Sequence, residues 1–131
     1  DEVFLTSYSK VAIALTNMKI DWKGDDWGKI SQISYTVKNN EEGAVKAEYF
    51  ILTVEGYEDE ALKKKISLPL SSQKFSAGKS YSQTLNVPKG FTFAEATTGT
   101  LTNVRVGLLL YDAKGKMMIS FSKEFDFKGY K

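Results

Sequence analysis

The stretch VRVGLLLYDAKGKMMISFSKEFDF, residues 104–127, settles the fold class. Val104, Val106, Leu108 and Leu110 alternate with their neighbours, the period of a strand that buries one face. Asp112-Ala113-Lys114-Gly115 then supplies turn chemistry, and Met117, Ile119, Phe121, Phe125 and Phe127 alternate on the return. Two alternating runs around such a turn read as a β-hairpin, with those residues facing inward.

The same grammar extends upstream. Val11, Ile13 and Leu15 share one face, and Met18, Ile20 and Trp22 continue on the other. An apolar face that switches midway predicts a bulge or kink, or a first strand that changes sheets. Tyr8, Val11, Ala12, Leu15 and Met18 also fit helical spacing, but the β-branched residues and Trp22 favour the strand. Residues 23–28 (KGDDWG) form a turn cluster. Ser31, Ile33, Tyr35 and Val37 alternate up to the turn Asn39-Asn40-Glu41-Glu42-Gly43. Residues 45–55 are apolar on both faces at Tyr49, Phe50, Ile51 and Leu52, as expected of a central strand or one whose outer face is covered. Leu62, Lys64, Ile66, Leu68 and Leu70 alternate again. Pro69 and the run Lys63, Lys64, Lys65 place this strand at a sheet edge, because proline cannot donate to a ladder and charge discourages edge-to-edge pairing. A loop through Gly78 leads to Tyr81, Leu85 and Val87, where Pro88 is expected to stop the strand. Residues 89–100 read as the longest irregular segment, with Phe91 and Phe93 tucked inward.

Several function classes are excluded by what is missing. With no histidine and no cysteine, the chain has no Ser-His-Asp or Cys-His pair, no imidazole or thiolate zinc site and no disulfide. Absent cysteine fixes no compartment. The net charge is +2 and Arg105 is the only arginine. Readers of phosphate and base edges lean on arginine's planar fork, so a lysine-only surface is a poor nucleic-acid footprint. No apolar run is long enough to span a bilayer. Residues 1–10 lack the pattern of a signal peptide and read as the end of a linker or anchor, with membrane attachment only through a segment outside this chain.

Tyr35-Thr36-Val37-Lys38-Asn39-Asn40-Glu41-Glu42-Gly43 resembles the strand-turn of immunoglobulin-like adhesion modules of the CARDB type. Residues 106–116, VGLLLYDAKGK, resemble the hairpin of those and of FxLYD-type domains, and Ser76-Ala77-Gly78-Lys79-Ser80 is similar to a turn they often carry. Soluble domains of archaeal motility and pilus components, including archaellum stator proteins, look similar. The resemblance implies a β-sandwich that scaffolds or adheres at the cell envelope, and it brings no catalytic residues.

The candidate sites are few. Asp21, Asp25 and Asp26 near Gly24 and Gly28 offer oxygen ligands for calcium, but without the spacing of an EF-hand loop; turn aspartates more often bond local backbone. Trp27 is a candidate aromatic platform, while Trp22 belongs to the core. Glu55, Glu58, Asp59 and Glu60 form an acidic run, and a glycosidase would need two such carboxylates about 5 to 9 Å apart. Gly78-Lys79-Ser80 is not a phosphate loop, since Gln73 stands where the first glycine is required.

The expectation is one antiparallel immunoglobulin-like β-sandwich of roughly seven to eight strands over residues 1–131, non-enzymatic and needing no cofactor. It would work outside the cytoplasm, docking a cell-envelope protein or a second copy of itself and binding no nucleic acid. The docking residues expected are Asp25, Asp26 and Trp27 at one tip, and Lys63, Lys64, Lys65, Ile66 and Leu68 along one edge. A carbohydrate-binding module using the exposed tryptophan and the acidic loop is the alternative, and a hydrolase a third reading.

Overall fold

The structure, a computed structural model, describes residues 3–60 and 66–131. Seven strands are found among them: β1 (Val11–Trp22), β2 (Trp27–Asn39), β3 (Val45–Val54), β4 (Ser67–Phe75), β5 (Ser80–Ala94), β6 (Val104–Tyr111) and β7 (Met117–Phe125). They form two antiparallel sheets, one ordered β1-β2-β5 and the other β4-β3-β6-β7. The chain crosses between sheets after β2, β4 and β5, and the last two crossings land beside an earlier strand, β5 beside β2 and β6 beside β3. That is the Greek-key, immunoglobulin-like connectivity of a sandwich.

The alternation read from the sequence generates the core. Ile30, Ile33, Tyr35 and Val37 of β2 face Phe50, Leu52 and Val54 of β3 and Val104, Val106, Leu108 and Leu110 of β6, all fully buried. Tyr35 meets Phe50 edge-to-face at 4.7 Å. At one end Phe93 sits between Trp22 and Phe127, 5.5 and 4.9 Å away, again edge-to-face as ring quadrupoles favour.

The face switch in β1 resolves as a bulge. Leu15 pairs with Tyr35 and Asn17 with Ser34, so Thr16 is extra, and Met18 and Ile20 return to the core face beside Val11, Ile13 and Leu15. The strand stays paired to β2 throughout and does not change sheets.

Three other expectations need correction. Pro88 does not end β5, which runs on to Ala94. The proline lies where four residues, 87–90, oppose Ser31 alone, and such a kink in an edge strand needs no ladder donor there. Residues 89–100 are therefore not an irregular segment but the end of β5 followed by a short helix, α1 (Glu95–Thr98), with Phe91 and Phe93 buried as expected. Met117 points out, 49% exposed, because a register shift beside Tyr111 hands its inward place to Met118.

Residues 3–10 form a strap across the sandwich end opposite the β1–β2 hairpin. Leu5 donates its N–H to Ala44 O, and the amides of Ser9 and Lys10 both donate to Glu41 Oε2. The Tyr8 hydroxyl donates to Asp112 Oδ2 at 2.7 Å, and Lys116 Nζ to Thr6 O. Asp112 Oδ1 also accepts from the amides of Lys114 and Lys116, which shapes the β6–β7 turn. Burial works to raise the Asp112 pKa, but the Tyr8 hydroxyl, the two amides and the Lys116 charge outweigh it and hold the carboxyl below its ordinary range. Burial, then the bond to Asp112 and its charge, push the Tyr8 phenol up to about 12.

Candidate functional site

The β1–β2 hairpin presents the first candidate cluster. Lys23 and Gly24 donate their N–H groups to Trp27 O, closing a tight turn, and a Cβ on Gly24 would lie 2.7 Å from Trp27 Nε1. The indole thus lies across a glycine and stays 41% exposed. Asp25 and Asp26 are exposed beside it, their carbonyls accepting from Lys131 Nζ and the Glu95 amide. Trp22 is half-buried against the core, donating Nε1–H to Tyr130 O. Asp21 turns to Lys23 at 2.8 Å, and the bond and charge of that lysine lower its pKa. Among the described residues no three acidic side chains converge on a point where a cation would sit, so the calcium reading of Asp21, Asp25 and Asp26 loses its geometry.

The second candidate, the β4 edge, divides. Lys63, Lys64 and Lys65 lie outside the described residues. Ile66 is half-buried on the core margin, and Leu68 is fully buried, so that side chain faces the core and not a partner. β4 does occupy a sheet edge. It is a poor template for an added strand, however. Pro69 has no N–H, and Ser71 and Ser72, with φ of 54° and 57°, break the extended backbone just beyond it. Two members of the acidic run accept from backbone amides, Glu58 from Gly56 in its own turn and Glu55 from Arg105 on β6.

A third surface emerges only from the register. Tyr49 of β3 lies opposite Pro69 on one side and Tyr111 on the other, and Tyr111 pairs with Met117. These four residues make one row across all four strands on the outer face, with Ile51 and Leu109 paired in the next row. The tyrosine rings stack at 5.1 Å with planes 10° apart. Pro69 and Met117 are exposed, and Tyr49, Tyr111 and Leu109 partly so. The outer face of the other sheet is the contrast. There Gln32 bonds Asn86, Ser34 bonds Thr84, and Thr36 pairs with Ser82, the polar carpet of an ordinary solvated face. The signal for the apolar row was present in the sequence as the two-faced apolar run Tyr49-Phe50-Ile51-Leu52; its partners at Tyr111 and Met117 required the pairing.

No family model, curated protein or solved structure matches the chain. Among the described residues no helix is long and apolar enough to cross a membrane.

Proposed function

We propose that this domain is a non-enzymatic binding and scaffolding module that docks a protein of the cell envelope, or a second copy of itself, through the outer face of its four-stranded sheet. The observation that carries the reading is the Pro69–Tyr49–Tyr111–Met117 row. Aromatic residues and methionine are enriched at protein interfaces, and a stacked, preordered tyrosine pair loses little entropy on docking. The resemblance of residues 35–43 and 106–116 to adhesion modules supports the envelope setting, outside the cytoplasm. The dispersal of the carboxylates into turn and ion-pair contacts favours recognition over hydrolysis.

The alternative, a carbohydrate-binding module, is favoured by one observation, the exposed Trp27 indole beside Asp25 and Asp26. The two readings separate in a paired retention experiment with the immobilised domain, using solubilised envelope protein and a polysaccharide panel. Retention of one envelope protein, lost with Tyr111→Ser and kept with Trp27→Ala, is the expected outcome. Retention on a glycan, lost with Trp27→Ala, would transfer the chain to the carbohydrate-binding class.

A further inference from the structure

The open side of the sandwich, between the edges β4 and β5, holds a cavity that the docking reading does not use. At one end the two edges close, with Phe75 and Tyr81 edge-to-face at 4.9 Å. Toward the other end they part around a volume of about 650 Å³ lined by Tyr57, Ile66, Pro69, Phe91 and the kinked segment of β5. The kink shapes the mouth: Lys89 and Gly90 both adopt left-handed backbone, φ 62° and 71°, directly after Pro88. A lysine held in that conformation is strained, and such strain concentrates at functional sites. Phe91 is buried and meets the Tyr57 ring edge-to-face at 5.6 Å. The Tyr57 hydroxyl accepts from the Ala94 amide, which leaves its own proton free to donate.

The chemistry of these walls selects a ligand class. The volume falls in the range of roughly 300 to 1,000 Å³ that takes small molecules. Two aromatic rings, two prolines and Ile66 suit an apolar body, and Ser67 and Thr92 complete the lining. Glu60 at the rim has a partner of its own. Lys89 is exposed and forms no salt bridge with a described carboxylate, so its ammonium is the cation on offer at the mouth. Neither Pro69 nor Pro88 offers a backbone donor, which disfavours an extended peptide added as a strand. We propose that this cavity binds a small molecule with an apolar body ending in a single anionic group, a monocarboxylate being the simplest, with Lys89 holding the anion.

The test is a fluorescence titration of the folded domain with anilinonaphthalene sulfonate, an apolar ring system bearing one anion, followed by displacement with decanoate. Two variants accompany it. Lys89→Gly removes the cation while relaxing the backbone, and Thr92→Trp fills the cavity from an exposed position; thermal melts establish that both are folded. One saturable site is expected, displaced by decanoate, weakened about fivefold in Lys89→Gly, the weight of one exposed ion pair, and lost in Thr92→Trp. Absence of saturable binding, failure of decanoate to displace, full binding by Thr92→Trp, or unchanged affinity in Lys89→Gly would each overturn the proposal. The cavity shares only Pro69 with the tyrosine row, so this outcome is independent of the docking experiment.

Discussion

At the scale of single residues, the best-defined device is the latch between the N-terminal strap and the β6–β7 turn. Asp112 accepts three hydrogen bonds and keeps its charge, and Tyr8 keeps its proton. The two groups set opposite pH limits. Because the Asp112 pKa is lowered in the fold, its contribution is complete above the ordinary carboxyl range and fades as pH falls through the lowered value. Because the Tyr8 pKa is raised from 10.0 to about 12, its contribution is complete below the ordinary phenol value and fades as pH climbs between those two values. Glu41, lowered by the amides of Lys10 and Ser9, reinforces the acid limit. Protection of the amides of residues 3–10, exchange measured against the intrinsic rate at the same pH, should therefore be greatest near neutrality and fall at both extremes; a flat protection profile would dissolve the latch. Asp112→Ala should cost about 1–3 kcal/mol in urea unfolding, since it removes the charged acceptor of the Tyr8 hydroxyl and of the Lys114 and Lys116 amides, and should flatten the acid arm of the profile.

At the scale of elements, the irregularities carry the information. Gly28 in β2 stands where a Cβ would lie 2.7 Å from Asp21 O, backbone that cannot step aside without parting β1 from β2. Gly28→Ala is expected to destabilise by about 1–3 kcal/mol, as overpacking does, and an unchanged urea midpoint would show that the hairpin end tolerates separation. Ser71→Gly should act the other way and raise stability by about 0.5–1 kcal/mol, because glycine adopts the left-handed φ without the strain that serine bears. These features also mark how far the sequence could be read. The hairpin at residues 104–127 was legible because alternation and turn chemistry agree there, and the edge position of β4 because Pro69 has one tolerable kind of place. Pro88 misled, since a proline that ends a central strand merely kinks an edge strand. The Thr16 bulge was legible too, in the switch of apolar face between Leu15 and Met18. The Met117–Met118 shift has no local signature; tertiary packing decides which of two adjacent residues turns inward.

At the scale of the whole molecule, the two outer faces differ in kind. The β1-β2-β5 sheet meets solvent with amides and hydroxyls, and the β4-β3-β6-β7 sheet meets it with two stacked tyrosines flanked by Pro69 and Met117. The candidate sites written into local sequence were one hairpin tip and one edge strand, and the structure keeps Trp27 exposed at the tip while turning Leu68 of the edge into the core. The row was not legible as a site, because its members come from four strands and meet only through the register. Trp27→Ala should lower stability by about 1–2 kcal/mol, because part of the indole is buried over Gly24, and a loss of about 3–5 kcal/mol, that of a core aromatic, would make it a core residue after all. Tyr111→Ala should weaken partner binding by about 2 kcal/mol, roughly thirtyfold, as loss of an aromatic anchor does.

The most direct test of the proposed docking surface places a photoreactive benzophenone side chain at position 111 in one sample and at position 34, on the polar face, in another. Each is irradiated with solubilised envelope protein. A discrete cross-linked product, to a partner or to a second copy, from position 111 and none from position 34 is the predicted result; equal yields from both faces, or a product from position 34 alone, would contradict it.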